Sequence, residues 1–137
     1  MPTMSKKVLI LLLILSTLAV AAVACASSTS GTSSQAGSTT TGNTVHMGDM
    51  NFLQSSVTIR KGEKLTLTDD SAVTHIIANG SWDGSTPKSA SEQGAPEVKN
   101  VNISGTTSQT LGPFTTAGTF HLYCTIHPGM NLTVIVQ

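Results

Sequence analysis

The stretch that decides the fold is residues 119–137, which read TFHLYCTIHPGMNLTVIVQ. Apolar residues alternate in two runs, 120–124 and 132–136, as they do on strands with one buried face. Between the runs, Pro128 and Gly129 are typical of a turn, because proline has a fixed φ and glycine tolerates positive φ. The sequence therefore predicts two strands joined by a short loop.

Three side chains of metal-ligand type fall three residues apart in this stretch, at Cys124, His127 and Met130. Thiolate and thioether are soft ligands, and two histidines with one cysteine and a weak axial methionine form a blue-copper electron-transfer site. Zinc fits less well, because methionine is not among its usual ligands and the common finger spacings are absent. The local motif thus favours copper, with a second histidine supplied from elsewhere in the fold.

The motif YCTIHPGM at 123–130 resembles the C-terminal motif of the small cupredoxins, the plastocyanin and amicyanin group. The short gap between His127 and Met130 is similar to the ligand loop of amicyanin. The upstream segment GEKLTLTDDSAVTH, ending at His75, resembles the family's segment before its first histidine ligand. It departs from the family at Asp69, where asparagine is frequent, and at Thr74, where proline often precedes the histidine.

The resemblance implies a Greek-key β-sandwich of about seven to eight strands that binds one copper ion, Cu(I) or Cu(II). It also implies the ligand set, namely His75, Cys124, His127 and Met130. By the same resemblance, the ring edge of His127 reaches the surface and serves as the electron port. The expected function is one-electron transfer between a redox donor and a redox acceptor.

Each of these residues also has a plainer interpretation. Cys124 alone could be a buried apolar thiol, Met130 a core residue, and His75 a neutral histidine held by a hydrogen bond. The plainer interpretations of Cys124 and Met130 must also account for a thiolate, an imidazole (His127) and a thioether within one turn, which favours the metal site. We interpret His46 and His121 as surface residues, since His121 is out of phase with Cys124 on its strand.

The N-terminus predicts export. Lys6 and Lys7 precede an apolar run that ends in small residues before Cys25, so residues 1–25 read as a signal peptide. The alternative is a permanent transmembrane helix, since the run from Val8 to Ala24 borders on the required length.

Cys25 follows Ala-Val-Ala, which resembles the lipobox of bacterial lipoproteins, and lipid attachment at Cys25 is expected. Cleavage near Ala24 or Ala26 would instead release a periplasmic or extracellular protein. Residues 26–44 are almost wholly Ser, Thr and Gly, which predicts a disordered linker between the anchor and the domain. The anchor places the protein on the outer face of the cell membrane. A Cys25–Cys124 disulfide is disfavoured, because Cys124 is flanked by metal-ligand residues.

Residues 45–137 are enough for one small β domain. Strand-like runs separated by turn residues, such as Asn79 and Gly80, predict a sandwich of seven or so strands. Met47 and Met50 are expected to pack the inner face of the first strand. The polar stretch from Trp82 to Pro96 reads as a surface excursion. Strands are predicted at 57–59, 64–68, 74–78, 98–103, 107–111, 119–124 and 132–136.

Charge and composition exclude several functions. Seven basic and seven acidic residues balance, and no basic stripe favours a nucleic-acid partner. No feature favours a Cys/His nucleophile over copper binding, and the chain lacks the histidines of a copper oxidase, so we expect no enzyme. A monomeric carrier is expected, and the alternative is a copper storage or delivery protein without a redox circuit.

Overall fold

The computed structural model describes residues 39–137, and all of them lie in strands, turns or irregular segments. The predicted all-β fold is therefore confirmed over this part of the chain. Within the same range, no helix is long and apolar enough to cross a membrane. The ten strands are β1 (Thr39–Thr41), β2 (Thr44–Met47), β3 (Ser56–Ile59), β4 (Leu65–Asp69), β5 (His75–Asp83), β6 (Thr86–Ser89), β7 (Val101–Ile103), β8 (Ser108–Leu111), β9 (Gly118–Cys124) and β10 (Asn131–Val136).

The strands form two sheets. The larger has seven strands in the order β1-β3-β10-β9-β5-β6, with β7 also paired to β5. The smaller has three strands in the order β2-β4-β8. Strands β9 and β10 pair antiparallel with Leu132 opposite Leu122, whereas β10 and β3 pair parallel with Val134 opposite Val57. Both strands predicted in the C-terminal stretch thus lie at the centre of the larger sheet.

The core lies between the two sheets, because alternate residues of each strand point inward. Val45 and Leu67 from the smaller sheet and Val57, Leu122 and Val134 from the larger are fully buried. Burial of one such side chain contributes roughly 1.5–3 kcal/mol relative to an exposed one. This packing makes the sandwich a firm frame for residues at the strand ends.

Strand β5 is longer than the sequence predicted. Asn79 and Gly80, which we interpreted as a strand end, lie inside it, and Trp82 and Asp83 continue it. Strand β6 then pairs with its second half, so the predicted excursion begins as a β-hairpin. Gly80 has φ +129°, and a Cβ there would lie 2.2 Å from the carbonyl oxygen of Lys88. Gly80 therefore allows β6 to approach β5 closely, and it does not form a turn.

The N-terminal part of the described chain also contains strands that the sequence analysis missed. Residues 39–41, at the end of the predicted linker, pair parallel with residues 56–58 of β3. Three consecutive threonines have high strand propensity, and β3 offers a free edge for pairing. The strand count therefore rises from about seven or eight to ten. The predicted signal peptide, Cys25 and residues 26–38 lie outside the described residues.

Of the two methionines assigned to the inner face, only Met47 lies there. Met47 is fully buried on β2, but Met50 is 61% exposed in the segment that follows β2. The prediction for Met50 was wrong because the strand ends at Met47, so the alternation of faces does not extend to residue 50.

Candidate metal centre

Two predicted ligands lie at the ends of neighbouring central strands. His75 begins β5 and Cys124 ends β9, and in the antiparallel pair of these strands Ile77 faces Cys124. His75 is two residues from Ile77, so both side chains point to the same face of the sheet. The pairing therefore places the imidazole of His75 next to the sulfur of Cys124. Both residues are fully buried.

The third predicted ligand, His127, lies on the short loop between β9 and β10. The Cys124 N–H donates to the carbonyl of Met130 at 3.0 Å, and the Met130 N–H donates to the carbonyl of His127 at 3.1 Å. Gly129, with φ +80°, supplies the backbone conformation that closes the loop. These bonds fold the loop back, so that the partly exposed ring of His127 lies over Cys124.

The side chains of His75, Cys124 and His127 form a compact cluster. Nδ1 of His127 is 3.2 Å from Nδ1 of His75 and 3.4 Å from Sγ of Cys124. The candidate ligand atoms all lie within 4.8 Å of one another. The two ring centroids are 4.9 Å apart at an interplanar angle of 72°. Two imidazole nitrogens and one thiol sulfur thus converge on a single point, as a trigonal metal site requires.

The sulfur of Cys124 receives a further contact from the main chain. The N–H of Ile76 donates to Sγ at 3.4 Å. Cys124 is a free thiol in the structure. This main-chain contact helps to orient the sulfur that a metal would bind.

A buried carboxylate accompanies the ring of His75. Asp69 ends β4 and is 1% exposed, and its Oδ1 accepts hydrogen bonds from the N–H and the hydroxyl of Ser71, each at 2.9 Å. Nε2 of His75 lies 3.8 Å from this oxygen. Neither Nε2 of His75 nor Oδ2 of Asp69 has a hydrogen-bond partner among the described residues. Sequence analysis marked Asp69 as a departure from the family but did not place it beside the histidine.

The environment of His75 favours its neutral form. Burial lowers the pKa of the ring below its usual value of 6.5, and the charge of Asp69 opposes this shift. The neighbouring His127 lowers the pKa of His75 further, whereas the backbone of Gly48 and the charge of Asp49 raise it. The balance is a lowered pKa, and a neutral imidazole is the form that binds a metal.

Met130, the fourth predicted ligand, is 2% exposed at the end of the loop. Its main chain is bonded to Cys124 and His127, which places the residue at the margin of the cluster. The cluster of converging ligand atoms consists of the two histidines and the cysteine. The axial role of Met130 stays a prediction.

The remaining two histidines lie outside the cluster and have carboxylate partners. Nδ1 of His46 is 2.9 Å from Oδ2 of Asp70, and Nδ1 of His121 is 2.6 Å from Oε1 of Glu92. The side chain of His46 is 43% exposed and that of His121 is 45% exposed. Both positions agree with the interpretation of these histidines as surface residues.

Sequence analysis missed one residue that contacts the site. The indole N–H of Trp82 donates to the carbonyl oxygen of Cys124 at 2.7 Å. Trp82 was assigned to a surface excursion, because no local pattern indicates that this segment contacts β9. The only available signal was that Trp82 is the single tryptophan of the chain.

Comparison with known proteins agrees with this geometry. Residues 39–137 match the family model described as copper binding proteins, plastocyanin/azurin family. The chain belongs to this family. The predicted membership of the cupredoxins is thereby confirmed. A separate search of curated proteins found no match to the sequence.

Solved cupredoxin structures share its fold. Amicyanin from Paracoccus versutus is 23% identical, with a TM-score of 0.53 over 69% of this chain and 79% of its own. A purple cupredoxin from Nitrosopumilus maritimus is 16% identical, with a TM-score of 0.54 over 70% of this chain and all of its own. A reduced mutant of amicyanin is 22% identical, with a TM-score of 0.52 over 69% of this chain and 80% of its own.

The donor set of this chain fits the metal of its family. Two neutral imidazoles and a thiolate suit copper, and the buried, converging atoms of His75, Cys124 and His127 can hold one ion. Copper is therefore the cofactor of this cupredoxin.

Proposed function

We propose that this protein is an extracytoplasmic type 1 copper protein that carries single electrons between redox partners. The observation that supports this most directly is the convergence of two imidazole nitrogens and one thiol sulfur within 4.8 Å at one end of the sandwich. Bound copper supplies the Cu(I)/Cu(II) couple. The signal-like N-terminus supports a site of action outside the cytoplasm.

The four predicted ligands have different roles in this proposal. Cys124 binds as a thiolate, and its covalent bond to the metal gives an intense visible absorption band. His75 and His127 would hold the ion through their ring nitrogens. Met130 would be the weak axial ligand and would help to set the reduction potential.

A rigid frame suits electron transfer, because both oxidation states are then held in nearly the same geometry. His75 and Cys124 lie on neighbouring strands of the buried sheet. The loop between Cys124 and Met130 is closed by its own hydrogen bonds and tied to β5 by the bond from the N–H of Thr125 to the carbonyl of Ile76 at 2.8 Å. Little rearrangement of protein atoms is then needed when an electron moves.

The loop side of the site is the expected port for electrons. His127 is partly exposed, and its neighbour Ile126 is 47% exposed. Leu53 is a further exposed apolar residue, with 50% of its surface accessible. Such apolar surface suits a weak encounter with a redox protein across a small interface. The donor and the acceptor are then proteins that dock here briefly with a monomer.

We also propose that a lipid at Cys25 holds the protein on the outer face of the membrane. Residues 26–38 would then separate the anchor from the domain as a polar tether. Cell fractionation tests this part alone. The unaltered protein should be found with membranes and the Cys25→Ala protein in the soluble fraction. Membrane retention of the altered protein would contradict the anchor but not the electron-carrier role.

The main test is a visible spectrum and a voltammogram of the full-length protein with one equivalent of Cu(II). A strong blue band and a reversible couple support the carrier. A pale, ordinary Cu(II) spectrum would contradict it and favour copper storage or delivery. His46→Ala is a suitable control, because His46 lies outside the cluster and the variant should keep both signals.

A further inference from the structure

The position of Trp82 requires a bend in β5. Ile77 faces Cys124 in the strand pair, and Trp82 comes five residues later in the same strand. A straight strand would carry Trp82 about 16 Å away from Ile77, at 3.3 Å per residue. The indole nitrogen nevertheless lies 2.7 Å from the carbonyl oxygen of Cys124. Gly80, with φ +129°, lies between the two residues and allows the hairpin to return over β9.

Trp82 makes three hydrogen bonds, and they reach both ends of the ligand loop. Its indole N–H donates to the carbonyl of Cys124, the residue before the loop. Its main-chain N–H donates to Oδ1 of Asn131 at 2.7 Å, and Nδ2 of Asn131 donates to its carbonyl at 3.1 Å. Asn131 follows Met130 and begins β10. Trp82 thus contacts Cys124, the first predicted copper ligand of this stretch, and Asn131, the residue after the last one, Met130.

The ring of Trp82 is itself held in place. It packs edge-on against the ring of Tyr123, with centroids 6.0 Å apart at 82°. The hydroxyl of Tyr123 lies 3.0 Å from Oγ of Ser89 on β6. Two contacts of Tyr123, with the indole and with Ser89, therefore hold the hairpin against β9, where the indole N–H donates to Cys124.

We propose that Trp82 is a positioning residue of the copper centre that holds the two ends of the ligand loop at a fixed separation. The inference rests on the proposed role of this loop as the segment that binds copper. The loop closes on itself through the bonds between Cys124, His127 and Met130, and these bonds do not fix it to the rest of the sheet. Trp82, the bond from Thr125 to Ile76 and the contact of the Ile76 N–H with Sγ of Cys124 supply that connection. Trp82 alone among these three also contacts Asn131, at the far end of the loop.

Amide hydrogen exchange of the metal-free, full-length protein tests the inference at the loop itself. Trp82→Phe keeps an aromatic ring and removes the N–H donor, and Asn131→Ala removes the bonds at the other end. Trp82→Phe should speed exchange of the Cys124 and Thr125 amides about fivefold, as expected for loss of one hydrogen bond. Asn131→Ala removes two hydrogen bonds and should speed it at least as much. The matched control is Lys88→Gln, which removes an exposed ion pair with Asp83 on the same hairpin. This control should leave the loop amides unchanged.

Copper release provides the second measurement. With a strong Cu(II) chelator in excess, release from the Trp82→Phe and Asn131→Ala proteins should be about fivefold faster than from the unaltered protein. Unchanged exchange and release in both variants would overturn the inference, as would an equal effect of Lys88→Gln. If the Trp82→Phe protein does not fold, Asn131→Ala decides, because Asn131 is exposed.

The outcome is separable from that of the proposed function. Absence of a reversible couple in the unaltered protein would contradict the proposed electron-carrier function. The hydrogen-exchange measurement needs neither copper nor a redox partner, so it tests the role of Trp82 independently.

Discussion

The two histidines of the metal centre are held in contrasting ways. His75 begins a central strand, is fully buried, and lies beside the buried carboxylate of Asp69. His127 lies on a short loop, is partly exposed, and is followed by the exposed Pro128 and Gly129. On the buried side, which contains His75 and Asp69, core packing fixes the positions of the side chains. On the loop side, which contains His127, local hydrogen bonds hold a residue that solvent can reach. A redox centre needs both properties, and here they are divided between two segments of the chain.

The largest effect is expected where the two sides meet, at Cys124. Replacement Cys124→Ser should abolish the intense visible band completely, because the band requires the copper–thiolate bond. The fold should survive, since serine is nearly the same size as cysteine and Cys124 is one of many buried core residues. Visible absorption and far-ultraviolet circular dichroism measure the two outcomes. A blue band retained by the serine protein would contradict the assignment of Cys124.

The contrast between the histidines can be measured in the metal-free protein. His75→Ala should lower the free energy of unfolding by about 2–4 kcal/mol, because it leaves a cavity and an isolated carboxylate in the core. His127→Ala should lower it by less than about 1 kcal/mol, as for most partly exposed positions. Urea unfolding of both variants gives the values. Equal losses would show that the two sides do not differ in the way we describe.

The loop side can be tested at its second predicted ligand. Met130→Gln should keep a cysteine-bound, coloured site and lower its reduction potential, because an oxygen ligand stabilises Cu(II) more than a thioether does. Voltammetry of the variant measures the shift. An unchanged potential would mean that Met130 is not the axial ligand and serves only as a buried core residue.

The buried side should also respond to pH, with a smaller effect. Because the pKa of His75 is lowered in the folded protein, the unfolded chain binds a proton at this residue more readily. The free energy of unfolding of the metal-free protein is then at its full value above about pH 6.5 and falls as the pH drops toward the folded pKa. Urea unfolding at pH 7.5, 6.0 and 5.0 tests this. The His75→Gln protein should lose this part of the dependence, and an identical dependence would contradict it.

The sequence predicted the parts of the structure that depend on local patterns. Alternation located β9 and β10 to within one residue, and the spacing of Cys124 and His127 indicated the loop side of the site. The second histidine, His75, came from resemblance and not from periodicity. These features were predictable because strand alternation and ligand spacing depend only on residues that are close in the sequence.

The parts that were missed depend on contacts between distant residues. Gly80 was interpreted as a turn, because nothing nearby shows that it allows β6 to approach closely. The bond between Trp82 and Cys124 joins residues 42 positions apart. The approach of Nε2 of His75 to Oδ1 of Asp69 depends on how β4 and β5 pack together. Such features are set by tertiary packing, which overrides local propensity.

The parallel pairing of β10 with β3 has a consequence for how the protein assembles. Val134 and Val57 are neighbours in the sheet but are separated by most of the domain in sequence. Contacts of this kind close large loops and slow the folding of β-sandwiches to milliseconds or longer. Cys124 ends β9, and His127 and Met130 lie between β9 and β10, so all three follow the first eight described strands in the chain. The predicted ligand set is therefore complete only after those eight strands have been synthesised.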